Sequence, residues 1–182
     1  MGGVDEIPKE QLTQLKKAYW AAVTIGVVTI ASFFFYAWGV YFVSSRVDSF
    51  EGLFPLIKGH TLKYVLLGAT VVISLLIRLI RYMLPPGRIT IRLPERIPKR
   101  LKIRSDVVQR LLLTSMIIFA LCELVAFFGV AIFLVSGQQF DFYIFLVMSL
   151  LLIATNFPMR KEWEETARKY EMKRGEKPVT AS

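Results

Sequence analysis

Four long apolar runs constrain the fold of this chain more than any other feature. They cover roughly residues 18–43, 62–84, 111–135 and 140–157. A helix needs about 20 apolar residues to cross the hydrocarbon core of a bilayer, a length that the first three runs reach and the fourth barely approaches. Continuous runs favour helices over strands, because a helix satisfies its backbone groups internally. The sequence predicts an all-α integral membrane protein with four transmembrane helices.

The charge distribution predicts the orientation of these helices. The chain has a net charge of +9 and a mean hydropathy of +0.50, and an excess of basic residues is also typical of nucleic-acid-binding proteins. However, of the 23 Lys and Arg residues, all but Arg46, Lys58 and Lys63 lie in the two tails or around the second loop. The positive-inside rule then predicts cytoplasmic N and C termini in the cell's inner (cytoplasmic) membrane. We therefore expect a lipid bilayer, and not nucleic acid, as the partner.

Three polar segments surround the membrane domain of residues 18–157: an N-terminal tail (1–17), a basic cytoplasmic loop (85–106) and a charged C-terminal tail (158–182). Basic side chains beside a membrane attract anionic headgroups, at about 1 kcal/mol each, and also set topology; the two interpretations do not exclude each other. In the loop these side chains are Arg88, Arg92, Arg96, Lys99, Arg100, Lys102 and Arg104. In the C-terminal tail we expect a short cytoplasmic helix whose Trp163, Ala167 and Tyr170 lie on headgroups or on a partner.

Small residues recur at four-residue spacing at the start of the first span. Ala18, Ala22 and Gly26 form a small-xxx-small ridge, a pattern that lets two membrane helices approach closely. Small residues are also common in membrane helices by chance, so both interpretations stay open.

One carboxylate interrupts the third run. Glu123 is the only formal charge between Arg110 and Asp141, and it lies 13 residues before Ser136. At 1.5 Å per residue this is about 20 Å from the outer end of the span, near the middle of a ~30 Å hydrocarbon core. An ionisable residue at that depth is a functional candidate by default.

The same depth in the first two spans contains hydroxyl groups but no basic residue. Ser32 and Ser74 lie at this level, and Thr70 lies one turn above Ser74. Because desolvation disfavours the charged form of a carboxyl, we expect Glu123 to be largely protonated at neutral pH. We expect its hydrogen-bond partners to be Ser74, Thr70 or Ser32.

The surroundings of Glu123 resemble the ion-carrying helix of the membrane-ring proteolipids (c-type subunits) of rotary ATPases. In that family a mid-membrane Glu is followed by Ala at +3, an aromatic residue at +5 and Gly at +6, as in Ala126, Phe128 and Gly129 here. A basic cytoplasmic loop also precedes the Glu helix in the ATP synthase version. The resemblance implies that Glu123 carries a proton and that Ala126 and Gly129 thin the helix for close packing.

The resemblance covers about a dozen residues, and the chain departs from the family in several places. The second span contains only Gly68 where the family has a glycine-rich ridge, and Phe128 replaces the usual tyrosine. The loop is longer, and two further spans flank the hairpin. These departures weaken the expectation of a working ring subunit.

Two classes of function fit these features. The first is a non-catalytic structural or accessory subunit of a membrane complex, in which a protonated Glu123 forms interhelical hydrogen bonds and a protein partner or further copies of the chain complete the assembly. The alternative is a proton-translocating, proteolipid-like subunit. The sequence contains no HExxH motif, no phosphate-binding glycine loop and no Cys or His cluster. We therefore expect no enzymatic activity, no cofactor and no metal.

Overall fold

A computed structural model describes residues 9–47, 50, 52–53, 59–83 and 106–175. These residues form five helices and contain no strand. The helices are α1 (Lys9–Arg46), α2 (Gly59–Met83), α3 (Asp106–Ser136), α4 (Gln139–Asn156) and α5 (Arg160–Gly175). The seven basic residues between Arg88 and Arg104 lie outside the described residues, and their lipid or partner contact stays a prediction.

Four of the helices contain a segment long and apolar enough to cross a membrane. These segments are Leu12–Arg46, Thr61–Tyr82, Val108–Ser136 and Gln139–Asn156. The predicted all-α class and the four candidate spans are therefore confirmed. The fourth segment is 18 residues long, which is near the lower limit for a helix that spans a bilayer. The helix ends there because Pro158 follows, and a proline has no backbone N–H with which to continue the helical hydrogen bonds.

Helix α3 is central to the fold, because α1, α2 and α4 all pack against it. In an apolar stretch of 18 residues within its spanning segment, 44% of the residues are buried inside the protein, compared with 17% in the corresponding stretch of α2. The core between α3 and α4 is made of large apolar side chains. It includes the fully buried Phe119, Val125, Phe133, Phe142 and Phe145.

A tight turn joins α3 to α4. Gly137 has a φ of 70°, and its N–H donates to the Phe133 carbonyl at 2.8 Å. This arrangement is a left-handed C-terminal cap, in which a glycine avoids the clash that a Cβ would cause. The turn brings α4 back antiparallel to α3, so the two helices pack along most of their length.

A second apolar cluster joins the N-terminal part of α1, the start of α3 and α5. Its buried members are Leu15, Ala18, Ala22, Val108, Leu112, Trp163 and Ala167. We call this end of the bundle the α5 end. Trp163 is only 5% exposed, and its ring meets the ring of Tyr19 edge-on at 5.9 Å. The expectation that Trp163 and Ala167 lie on headgroups or on a partner is wrong, because α5 turns its apolar face onto the chain's own helices; the Tyr170 side chain lies outside the described residues.

At the opposite end, the described part of the loop between α1 and α2 packs on the end of α3. The Leu53 N–H donates to the Leu134 carbonyl at 2.8 Å, and the Phe50 and Phe133 rings lie 5.2 Å apart. Gly52 has a φ of 89° and lies so close to the Val135 backbone that a Cβ would collide with it. The loop therefore provides a donor for a carbonyl in the last turn of α3, which that helix cannot satisfy itself.

Candidate functional site

Glu123 lies between α1 and α3 and accepts two hydrogen bonds from α1. The Tyr36 hydroxyl donates to Glu123 Oε1 at 3.0 Å, and the Ser32 hydroxyl shares its single hydrogen between the same oxygen, at 3.3 Å, and the closer Thr29 carbonyl, at 2.7 Å. Ser32 and Tyr36 are four residues apart on α1, so their side chains project from the same face of the helix. We call Glu123, Ser32 and Tyr36 the Glu123 cluster.

The other two expected partners do not join this cluster. The Thr70 hydroxyl donates to the Leu66 carbonyl and the Ser74 hydroxyl to the Thr70 carbonyl, each at 2.9 Å. These are bonds of a Ser or Thr to the carbonyl four residues earlier, which satisfy the hydroxyl within its own helix. The structure therefore differs from the expectation at Thr70 and Ser74, because equal depth in the membrane does not bring the two side chains to the face that meets Glu123.

Sequence reasoning missed Tyr36. Ser and Thr residues at the level of Glu123 were the expected partners, because their side chains are short. The Tyr36 side chain is longer and reaches Glu123 from a position one helical turn after Ser32. The signal was present, since Tyr36 lies four residues after Ser32 and therefore shares its face. A hydroxyl on a ring also suits this position, because the ring packs against apolar neighbours while the hydroxyl finds an acceptor.

Glu123 is half-buried, not enclosed. On α3 it lies one turn from Ala120 and from Phe127, both of which are exposed, and Phe127 is 56% exposed. The next residue, Leu124, is 41% exposed. We call Ala120, Leu124 and Phe127 the α3 stripe. The carboxyl thus lies at the edge of an apolar stripe that no described residue of this chain covers.

The small residues that follow Glu123 on α3 are buried in contacts with other helices. Ala126 is fully buried. A Cβ at Gly129 would lie only 3.0 Å from the Phe142 carbonyl oxygen and from Phe145 Cβ, so this glycine sets the approach of α3 to α4. On α1, Ala18 and Ala22 are buried, and a Cβ at Gly26 would lie 2.9 Å from the Phe119 and Phe157 rings. Both sets of small residues occupy positions of close contact between helices.

Glu123 has no basic partner among the described residues. Ion pairs there join Lys63 to Asp141 at 2.5 Å, Arg81 to Glu162 at 3.3 Å and Arg160 to Glu164 at 2.7 Å, and none of them includes Glu123. The described part of the chain also holds no group of three His, Cys, Asp or Glu side chains that could bind a metal. The chemistry available at Glu123 is thus that of one carboxyl and two hydroxyls.

The pair of Lys63 and Asp141 is a second charged contact that sequence reasoning did not find. The Asp141 side chain is 4% exposed and the Lys63 side chain 27% exposed. The two residues are 78 positions apart and belong to α2 and α4. The sequence shows that they carry opposite charges and lie near the starts of α2 and α4. That Lys63 lies beside Asp141 depends on how these helices pack and could not be predicted from the sequence.

The chain was compared with models of known protein families, with curated proteins and with solved structures. None of the three comparisons gives a match. Function therefore has to be argued from the Glu123 cluster and from the surfaces around it.

Proposed function

We propose that this chain is a non-catalytic accessory subunit of a membrane complex, and that the α3 stripe contacts another subunit or a second copy of the chain. The observation that carries this proposal is the half-buried state of Glu123 within a candidate span. Ionisable side chains inside a membrane almost always face the protein interior or a water-filled cavity. A partner on the α3 stripe would cover the side of Glu123 that its own chain leaves open.

Within the subunit, Glu123 would connect α1 to α3. It accepts hydrogen bonds from Ser32 and Tyr36, and an interhelical hydrogen bond in a membrane contributes about 0.6 kcal/mol on average. We propose that the carboxyl is neutral, because no basic residue pairs with it in the described part of the chain.

The location that we propose is the inner (cytoplasmic) membrane, with the α5 end on the cytoplasmic side. Supporting this orientation, the basic loop and the two charged tails all connect to that end of the bundle. Anionic headgroups would then meet the basic residues of the loop.

A proton-translocating, proteolipid-like role is the second candidate. It is supported by the position of Glu123 at the edge of the α3 stripe, where a group on another subunit could approach the carboxyl. It is also supported by the local resemblance of residues 120–131 to the ion-carrying helix of rotary ATPase rings. In this role the same partner would receive or supply the proton.

Two substitutions separate the structural role from the proton-carrying role. Glu123→Gln keeps an oxygen that can accept from Ser32 and Tyr36 but cannot carry the proton, whereas Glu123→Leu removes both properties. A photo-crosslinking residue at Phe127 probes the α3 stripe in native membranes, and the same residue at Val72, which is 64% exposed on α2, is the control.

For an accessory subunit we expect a crosslinked product from Phe127 that Glu123→Gln keeps and Glu123→Leu weakens. For a proton carrier, Glu123→Gln would keep the crosslink and abolish proton flux in vesicles. The absence of any Phe127-specific product, together with wild-type behaviour of Glu123→Leu, would overturn both candidates.

A further inference from the structure

An open cleft separates α2 from α4 toward the α5 end. Its volume is about 850 Å³, which is within the range of sites that bind small ligands. The walls are mainly apolar side chains of the two helices. They include Val71, Leu75 and Ile77 of α2 and Met148, Leu151 and Leu152 of α4. This cleft is separate from the Glu123 cluster, which lies between α1 and α3.

Two arginines lie at the end of this cleft, and their bonding differs. Arg81 donates to the Thr155 carbonyl at 3.3 Å and to Asn156 Oδ1 at 3.4 Å, and it also pairs with Glu162. Arg78 lines the cleft one turn deeper and is exposed. Among the described residues no hydrogen bond or ion pair involves Arg78.

Arg78 lies inside the candidate span of α2, where a charged side chain without a partner is unfavourable. It lies four residues before Tyr82, the last residue of the candidate span, or about 6 Å inside the span end at the helical rise. A cation so near the hydrocarbon extends its head group toward the interface, where the phosphates of the lipids lie. A guanidinium suits phosphate in particular, because its planar donors can bind two oxygens at once.

We infer that the cleft between α2 and α4 is a binding site for an anionic phospholipid. One acyl chain would lie along the apolar walls, and the phosphate would bind Arg78. Arg81 pairs with Glu162, whereas the charge of Arg78 is not paired among the described residues, so charge complementarity at this end of the cleft favours an anionic over a zwitterionic headgroup. Arg81 would act as a positioning residue that holds the end of α2 to α4.

The test uses the full-length protein, purified, depleted of lipid and examined by native mass spectrometry. Phosphatidylglycerol and phosphatidylcholine with identical acyl chains are added separately. We expect one phosphatidylglycerol per chain to be retained in preference to phosphatidylcholine. Arg78→Gln should weaken phosphatidylglycerol binding by about fivefold, which corresponds to the loss of one basic residue near the headgroups, whereas Arg46→Gln at the opposite end should have no effect.

A second pair of variants tests the acyl-chain part of the site. Leu151→Trp places an indole in the cleft and should abolish retention of both lipids, whereas Val147→Trp, at an exposed position one turn away on the same helix, should leave retention unchanged. Equal retention of the two lipids with no effect of Arg78→Gln would overturn the inference. A dimer that Leu151→Trp dissociates would also overturn it, since a second copy of the chain would then occupy the cleft.

Discussion

Helix α4 packs against α1 as well as α3, and its contacts with α3 and with α2 differ in kind. Against α3 it packs closely, with Gly129 next to the α4 backbone and the Ser149 hydroxyl donating to the Cys122 carbonyl at 2.5 Å. Against α2 it is held near the ends, by Lys63 with Asp141 and by Arg81 with Asn156, and a cleft lies between these contacts. The comparison shows that polar contacts can fix the distance between two helices where apolar packing leaves a gap.

The largest effect is expected from overpacking the contact between α3 and α4. Gly129→Leu would insert a side chain where even a Cβ lies 3.0 Å from α4 atoms, and overpacking of a core costs about 1–3 kcal/mol. We expect a loss near the upper end of this range, because the obstacle includes the Phe142 backbone. This loss of stability can be measured as the difference in the free energy of unfolding between Gly129→Leu and the wild type in mixed detergent micelles.

The control for this variant is Gly68→Leu, in the middle of α2. A Cβ there has no heavy atom within 4 Å, so the added side chain would face lipid and leave stability almost unchanged. If both variants were equally destabilised, the loss of stability would come from the replacement of a helical glycine by leucine as such, and not from the contact between α3 and α4.

The ion pair between Lys63, near the start of α2, and Asp141 should have an intermediate effect. Lys63→Met leaves the Asp141 carboxylate, which is almost fully buried, without its partner. Removal of one member of a fully buried pair costs about 3–5 kcal/mol, and because Lys63 is partly exposed we expect about 2 kcal/mol. The same unfolding measurement applies.

The double variant Lys63→Met with Asp141→Leu sharpens this prediction. Replacement of both charges by apolar groups is often close to neutral, so the double variant should recover most of the lost stability. A double variant that is less stable than Lys63→Met alone would show that the ion pair itself, and not the isolated charge, determines the stability of this contact.

The smallest effect concerns single hydroxyls. Tyr36→Phe removes one hydrogen bond to Glu123 and should cost about 0.6 kcal/mol. Ser74→Ala removes a hydroxyl that bonds only within its own helix, so its effect should be close to zero. Equal losses in the two variants, measured in the same unfolding experiment, would contradict the assignment of Tyr36 and not Ser74 to the Glu123 cluster.

Sequence reasoning succeeded for properties that belong to one helix at a time. The four candidate spans follow from the length of each apolar run, since a helix in a bilayer must satisfy its own backbone groups. The position of Glu123 near the middle of the third candidate span follows directly from the sequence, and its depth in a bilayer stays a prediction from the rise per residue. Ser32 and Ser74 both bond a carbonyl of their own helix, but only Ser32 also lies on the face that meets Glu123 and reaches its carboxyl.

Contacts between helices were harder to predict from the sequence. With 3.6 residues per turn, each residue along a helix points about 100° away from the last, so the rotation of a helix about its axis decides which side chains meet. The sequence gives no direct value for that rotation. Tyr36 was therefore missed, and Trp163 was assigned to headgroups although α5 folds onto α1 and α3.

The sequence by itself determined that the chain is an all-α protein with four apolar segments of spanning length and one carboxyl near the middle of the third. These properties depend only on the order of residues within a single helix, because the length of an apolar run and the position of a residue in it do not involve the other helices. Only the tertiary structure decided that Tyr36 joins Ser32 at Glu123, that Lys63 meets Asp141, and that a cleft with Arg78 at its end remains between α2 and α4. These contacts depend on how five helices are rotated and packed around α3, and residues on different helices jointly determine that arrangement.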